Sequence, residues 1–204
     1  MTTSPGALDV VTGAFSYSGA AIARELRAAG RQVRTLTGHP AHAPTGRGAA
    51  AELPRPRRAD PIDARSAHAL QHLLGPLRHG SIDHDAAVAN SQALFHAAAA
   101  AGIQRIVHVS ITHSSSDSPY PYFRGKARVE EILGETGVSH AIVRPAILFG
   151  GSGVLINNVA WLLRHVPIFA VSGHGTYRVR GIHIDDLARL CVSLGARGVR
   201  LRQR

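Results

Sequence analysis

Leu8–Thr37 reads LDVVTGAFSYSGAAIARELRAAGRQVRTLT, and the order of its parts decides the fold. Leu8–Thr12 is a short run of strand-forming residues that enters a glycine-bearing turn. Ser18–Ala29 carries apolar residues at helical spacing and stops at Gly30, a residue suited to closing a helix. Gln32–Thr37 alternates as a strand does, and Gly38-His39-Pro40 ends it. Strand, glycine turn, helix and strand in that order make a βαβ unit. Such a unit implies two parallel strands joined by a right-handed crossover.

The alternation continues along the chain. Ala41–Arg58 is rich in Ala, Pro, Gly and Arg without periodicity and reads as a loop. Ser66–Leu74 and Ala86–Ala101 read as helices, the second closed by Gly102. Arg105–Ile111 is a β-branched strand of the buried kind. A helix follows over Phe123–Thr136, then a strand at His140–Arg144, a helix at Ile156–Val166, a short strand at Ile182–Ile184 and a helix at Asp185–Leu194. The expected fold is α/β: a doubly wound, mainly parallel, Rossmann-like sheet with helices on both faces. At 204 residues it suits one domain, 1–204, with no room for two full ones.

Charge and cysteine content narrow the function classes. The net charge is +10, yet the arginines are scattered and not interleaved with aromatics. The densest group, Arg55–Arg58, is short, so no nucleic acid partner is expected. One cysteine, Cys191, excludes an internal disulfide framework and a cysteine-rich zinc site. No apolar run is long enough to span a bilayer, and the first residues lack the build of a signal peptide. The expectation is a cytoplasmic protein without a membrane partner.

The turn Thr12–Gly19, TGAFSYSG, stands where strand passes into helix, and that place binds phosphate. Glycines let backbone approach a pyrophosphate, and a helix start offers N–H groups and a positive dipole end. The spacing is Gly13-x-x-Ser16-x-x-Gly19, with serine in the middle position, where it offers an N–H and a hydroxyl. A tight turn with no ligand would use the same residues, but the strand before and the helix after favour a dinucleotide. The second strand ends without the Asp or Glu that would grip a ribose 2′-hydroxyl. Arg34 and His39 tolerate a 2′-phosphate, which tips the expected cofactor from NAD toward NADP.

Tyr122-Phe123-Arg124-Gly125-Lys126 holds the chain's single lysine among 23 cationic side chains. Tyr122 and Lys126 are four apart on the expected helix, so they share one face. A tyrosine is a poor base until a nearby cation stabilises its phenolate. Lysine is a compact charge with rotatable donors, able to reach ribose hydroxyls as well. The strand before this helix ends in hydroxyl residues, Ser110, Thr112 and Ser114, beyond its C-terminal end, where open α/β sheets bind ligands. Ser110, nearest the strand, is the first candidate to hold a substrate oxygen. The thirteen histidines lack a metal-site spacing, and no metal is expected.

Taken together, VTGAFSYSGAAIARELRAAGRQVRTLT, DPIDARSAHAL, AAAAAGIQRIVHVSI, YFRGK, AIVRPAILFG and GIHIDDLARL resemble the short-chain dehydrogenase/reductase superfamily. The likeness is to its extended or atypical branch of NAD-dependent epimerase/dehydratase-like, NAD(P)-binding proteins. It covers about Val10–Leu190. By that resemblance Gly13, Phe15, Ser16 and Gly19 line the pyrophosphate, and Asp63 approaches the adenine. Ser110, Tyr122 and Lys126 form the catalytic set, and Pro145 and Ile147 flank the nicotinamide. Asp185-Asp186 ties the last strand to its helix. The implied activity is hydride transfer at a carbinol or carbonyl carbon of a small-molecule substrate, by an oxidoreductase or epimerase/dehydratase. Homodimers through two long helices are common in that family and are an expectation here.

Two departures are expected. Between Leu74 and Ala86 the family has a central apolar strand beside the first, and GPLRHGSIDHDA is too polar and too short for it. Either a shortened strand around Pro76–Leu77 fills in, or the sheet loses that member and part of its cofactor wall. Residues 151–204 correspond to a remnant of the substrate-binding part. The alternative is therefore a catalytically inactive NAD(P)-binding sensor or accessory protein. NmrA-like regulators and the accessory subunit of respiratory complex I resemble the chain at the same turn.

Overall fold

A computed structural model describes residues 8–36, 68–71, 84–171 and 173–196. Its elements in chain order are β1 (Leu8–Thr12), α1 (Tyr17–Ala28), β2 (Gln32–Leu36), β3 (His68–Gln71), α2 (His84–Ala100) and β4 (Arg105–Val109). Then come α3 (Pro121–Glu135), β5 (Ser139–Val143), β6 (Ile147–Phe149), α4 (Val154–His165), β7 (Gly181–His183) and α5 (Ile184–Gly195). Five strands form one sheet in the order β2-β1-β3-β4-β5, all neighbours parallel. Strands β6 and β7 pair in a second, two-stranded parallel sheet.

The strand period of two sends successive side chains to opposite faces. In β1, Val10 enters a core with Phe95, Ile106, Val129, Ile132 and Leu133, under α2 and α3. Its neighbour Val11 enters the other core, with Ile22, Leu26, Val107, Leu187 and Cys191, under α1 and α5. Helices thus cover both faces, α1 packed on α5 and α2 on α3. This is the doubly wound arrangement expected from the first thirty residues of the pattern.

Local chemistry fixes the ends. Gly30, at φ +74°, closes α1: its N–H donates to the Arg27 carbonyl at 2.9 Å, and that of Arg31 to the Leu26 carbonyl at 3.0 Å. A left-handed residue in that place costs glycine little, and the bond pair satisfies two open carbonyls. The turn then delivers Arg31 to Asp9 of β1. Both its Nε and its terminal nitrogen donate to the carboxylate, the latter at 2.9 Å, and Asp9 is 1% exposed. At the far end of the chain, Asp185 in the first turn of α5 accepts from Arg24 of α1 at 2.5 Å. The aspartate also complements the positive end of the α5 dipole.

One segment departs from its expected form. Ser66–Leu74 was expected as a helix, but His68–Gln71 is strand β3, seated between β1 and β4. Val10 pairs with Ala69, and Ala69 in turn with Ile106. Leu70, Leu73 and Leu74 have helical spacing, but a short apolar run cannot distinguish the two forms by periodicity. What decides is the open position between β1 and β4, which a parallel ladder fills. The correction removes the expected gap: the central strand beside β1 is present and lies upstream of GPLRHGSIDHDA.

Helix α4 is the exception to two-sided covering. It has no buried side chain, and Leu155, Trp161 and Leu163 are each more than half exposed. No helix among the described residues is long and apolar enough to cross a membrane.

Candidate active site

The turn between β1 and α1 is built as a phosphate cradle requires. Gly13 holds φ +66°, and its N–H donates to the Leu36 carbonyl of β2 at 3.0 Å. Gly19 lies so close that a Cβ there would stand 2.8 Å from the Gly13 carbonyl carbon and nearer still to its oxygen. The absent side chains let the helix start directly against the turn. Ser16 is the N-cap of α1, its hydroxyl accepting from the Gly19 N–H at 3.3 Å. Its own N–H donates to the Gly13 carbonyl at 2.8 Å. The Ser16 N–H is therefore engaged inside the turn, while its hydroxyl, accepting from Gly19, keeps its O–H to donate. The first turn of α1 holds no acidic residue, so the positive end of its dipole is not neutralised there. Phe15 is half-buried beside these groups.

Arg34 is exposed on β2, at the sheet edge next to the turn. His39 and Asp63, the other residues expected to meet the adenosine half of a dinucleotide, lie outside the described residues.

The ends of β4 and β5 make the second half. The ladder continues past the strands: Ser110 N–H donates to the Val143 carbonyl at 2.8 Å, and Thr112 N–H to the Pro145 carbonyl at 3.3 Å. Pro145 and Ile147 are both half-buried, and Ile147 begins β6, paired with Gly181. His113 takes φ 61°, a left-handed conformation that turns the chain sharply before Ser114.

Tyr122, Lys126 and Glu130 follow at successive turns of α3, hence on one face. Tyr122 is half-buried, with ring centroids 5.9 Å from His84 of α2 and 5.5 Å from Phe123. Burial pushes its phenol above the ordinary value. Lys126 is 0% exposed, and burial pulls its ammonium down to about 8, with the Glu130 charge acting against that pull. Ser110 is buried, and its hydroxyl makes no hydrogen bond of normal geometry, although it lies close enough to Glu130 to help stabilise that carboxylate.

Glu130 is the residue that sequence reasoning missed. Its carboxylate accepts from the Ser114 hydroxyl at 3.0 Å, and from Arg144 through Nε at 3.1 Å and a terminal nitrogen at 2.5 Å. Burial opposes its charge, but the hydrogen bonds and the Arg144 charge hold its carboxyl below the usual value. His113, Ser114, Ser115, Ser116, Glu130 and Arg144 border a cleft of about 400 Å³ beside it. The one sequence signal was the spacing of four from Lys126, which is common on any amphipathic helix.

A third contact joins the two halves. The Tyr17 hydroxyl, at the start of α1, donates to the Gly150 carbonyl just after β6 at 2.6 Å. Side chains are excluded there too, since a Cβ on Gly153 would lie 2.6 Å from the Tyr17 oxygen. The Asp185 carboxylate pairs with Arg24, and its N–H donates to His183 Nδ1 at 3.3 Å. Among the described residues no cluster of His, Cys, Asp or Glu could hold a metal ion.

The five-stranded parallel sheet, with a glycine turn at the first helix and helices on both faces, is a Rossmann-like α/β fold shared with solved nucleotide-dependent enzymes. The chain superimposes on an NAD-dependent NDP-hexosamine 5,6-dehydratase, TunA, of tunicamycin biosynthesis with a TM-score of 0.67. Sequence identity there is 20%, over 92% of this chain and 71% of that one. The human epimerase family protein SDR39U1, solved with NADPH, gives a TM-score of 0.57 at 18% identity over 89% of this chain and 67% of that one. In sequence, the chain is 29% identical over 92 residues to the mitochondrial NADH dehydrogenase [ubiquinone] 1 alpha subcomplex subunit 9 of Dictyostelium discoideum. That stretch is 45% of this chain and 26% of the relative, so the match spans about a quarter of the relative's length. No protein-family model matches the chain.

Proposed function

We propose that this protein binds NAD(P) at the Gly13–Gly19 turn and uses Tyr122, Lys126 and Ser110 to transfer hydride at a carbinol or carbonyl carbon. The observation that carries it is the packing of Gly19 on Gly13 at the start of a helix with no acid in its first turn. That cradle fits a pyrophosphate: it combines close backbone, a free dipole end and room that a single Cβ would fill. The solved structures of the same fold include one described as NAD-dependent and one holding NADPH. Arg34, exposed on β2, suits the 2′-phosphate of NADP, while Gly13, Phe15, Ser16 and Gly19 hold the pyrophosphate.

When bound, the nicotinamide supplies the hydride acceptor or donor. Ser110 fixes the substrate oxygen, and Lys126 supplies positive charge on the cofactor side. Tyr122 exchanges the proton with the substrate oxygen at its phenol. Because burial raises that phenol, it stays protonated at neutral pH and is poised as an acid. General acid–base groups of this kind contribute about 10²–10⁴-fold in rate. Tyr122→Phe is expected to lower turnover by that order while nucleotide affinity, measured by calorimetric titration with NADPH and NADH, stays within about twofold. Unimpaired turnover in Tyr122→Phe would refute the assignment, and failure of both nucleotides to bind would refute the whole reading.

A second reading is a subunit or sensor that binds NAD(P) without turnover. The apolar outer side chains of α4, Leu155, Trp161 and Leu163, favour it, because a subunit held in an assembly would cover them. So does the burial of both Ser110 and Lys126. The sequence relative is itself a subunit of NADH dehydrogenase. Nucleotide binding with no reduction of any carbonyl substrate supports this second reading over the first.

A further inference from the structure

We propose that Glu130 is a positioning residue for Lys126, its carboxylate fixed by Arg144 and Ser114 one helical turn away so that the buried ammonium keeps its charge and its place. The inference rests on the reading of Lys126 as the cation of the cofactor side. It adds a fourth member to the Ser110, Tyr122 and Lys126 set, one that acts through the lysine.

An ammonium with no exposure loses the hydration that favours its charged form. A lysine neutralised in this way can neither attract a ribose oxygen nor stabilise a phenolate. Glu130 stands at the next turn of the same helix face, and its side chain is 9% exposed. Its position is held from two other elements. Arg144, just past β5, grips both carboxylate oxygens, and Ser114, past β4, donates to one of them. Surface ion pairs are worth little and wander; this one has a nearly buried acid with three fixed donors. The elements packed around α3 carry other ionisable groups: His84 and Asp85 on α2, His108 on β4, and Arg144 itself. Of these groups and Glu130, it is Glu130 whose charge acts on the Lys126 ammonium.

The placement also explains why one carboxylate reaches three parts of the site. Ser110 and Ser114 belong to the β4 exit, Arg144 immediately precedes Pro145, and Lys126 lies on α3. A shift of Glu130 would move the strand-end serines and the lysine relative to each other.

The composition makes a direct test available. Lys126 is the single lysine, so protein made with ¹³C-lysine gives one side-chain Cε–Hε signal, whose titration reports this ammonium without any ligand. In the unaltered protein the midpoint is expected near 8, from the burial of the group. Glu130→Gln, which keeps the shape and removes the charge, is expected to lower it by about one pH unit or more. Glu130→Asp, which keeps the charge on a shorter stem, is expected to restore most of that shift. If Glu130→Gln does not fold, Arg144→Met carries the test: with the clamp gone the carboxylate is no longer held beside the ammonium, and the midpoint is expected to fall. A midpoint unmoved by Glu130→Gln, or by Arg144→Met where that variant carries the test, overturns the proposal. So does an equal fall in the Asp and Gln variants, which would mark a packing role alone. Since no nucleotide is present, the result stands apart from the calorimetric test of NAD(P) binding.

Discussion

Replacing Gly19 with alanine isolates the feature on which the nucleotide reading depends. Carbon atoms rest at about 3.5–4.0 Å from each other. The new Cβ would stand 2.8 Å from the Gly13 carbonyl carbon and 3.0 Å from the Ser16 hydroxyl oxygen. Helix α1 would have to withdraw by about 1 Å to relieve this. It is not free to do so, because Ser16 caps its start, Arg31 is tied to Asp9 behind its end, and α5 packs along its side. Overpacking in a well-fixed place costs about 1–3 kcal/mol, and the clamped ends put this case in the upper half of that range. For a chain of this size each kcal/mol moves the melting temperature by about 2–4 °C. Gly19→Ala is thus expected to melt about 4–12 °C lower by circular dichroism and to lose measurable NADPH binding. Gly134→Ala is the matched control: it lies in α3 with nothing within 4 Å of a new Cβ. It should stabilise by about 0.5–1 kcal/mol, since alanine replaces glycine in an open helical place. If Gly19→Ala melted with the unaltered protein and bound nucleotide as well, the cradle reasoning would be wrong.

Two further outcomes follow from buried groups. Arg31→Met leaves Asp9 as a buried carboxylate that has lost the Arg31 guanidinium, and denaturant titration should show a loss of about 3–5 kcal/mol; the double variant Asp9→Asn with Arg31→Met should recover part of it. Cys191 is fully buried, and burial pushes its thiol up to about 12. A thiol reagent at neutral pH should leave the folded protein unlabelled and react fully once denaturant unfolds it; fast labelling under native conditions would contradict the α1–α5 packing.

Much of the fold could be read from the sequence because local signals and tertiary needs agree there. In Leu8–Leu36 the strand, turn and helix each have their own chemistry, and the structure repeats their order with boundaries shifted by a residue. Tyr122 and Lys126 were legible because helical spacing alone places them on one face. The stretch His68–Gln71 was not, since its identity depends on β1 and β4, which lie far away in sequence. The same limit hid Glu130, whose partners Ser114 and Arg144 come from two other elements, and the Tyr17 bond, whose acceptor is a backbone carbonyl. The burial of the Tyr122 ring was hidden for a related reason. Spacing locates the lysine but says nothing of how deeply the ring is buried.

The attachment of Tyr17 to Gly150, 133 residues away, has a consequence for how the molecule is made. The strand–turn–helix of Leu8–Ala28 leaves the ribosome well before the residues that fasten it, Gly150 and Asp185. The inner face of α1, with Ile22 and Leu26, shares its core with Leu187 and Cys191 of α5, and Arg24 waits for Asp185. Early synthesis therefore cannot finish the nucleotide cradle, however well its own residues form a helix. Long-range closures of this kind slow folding, and the exposed face of α1 must stay soluble until residues 184–195 arrive. The turn at Thr12–Gly19 is therefore expected to become fixed only after residues 184–195 have been made.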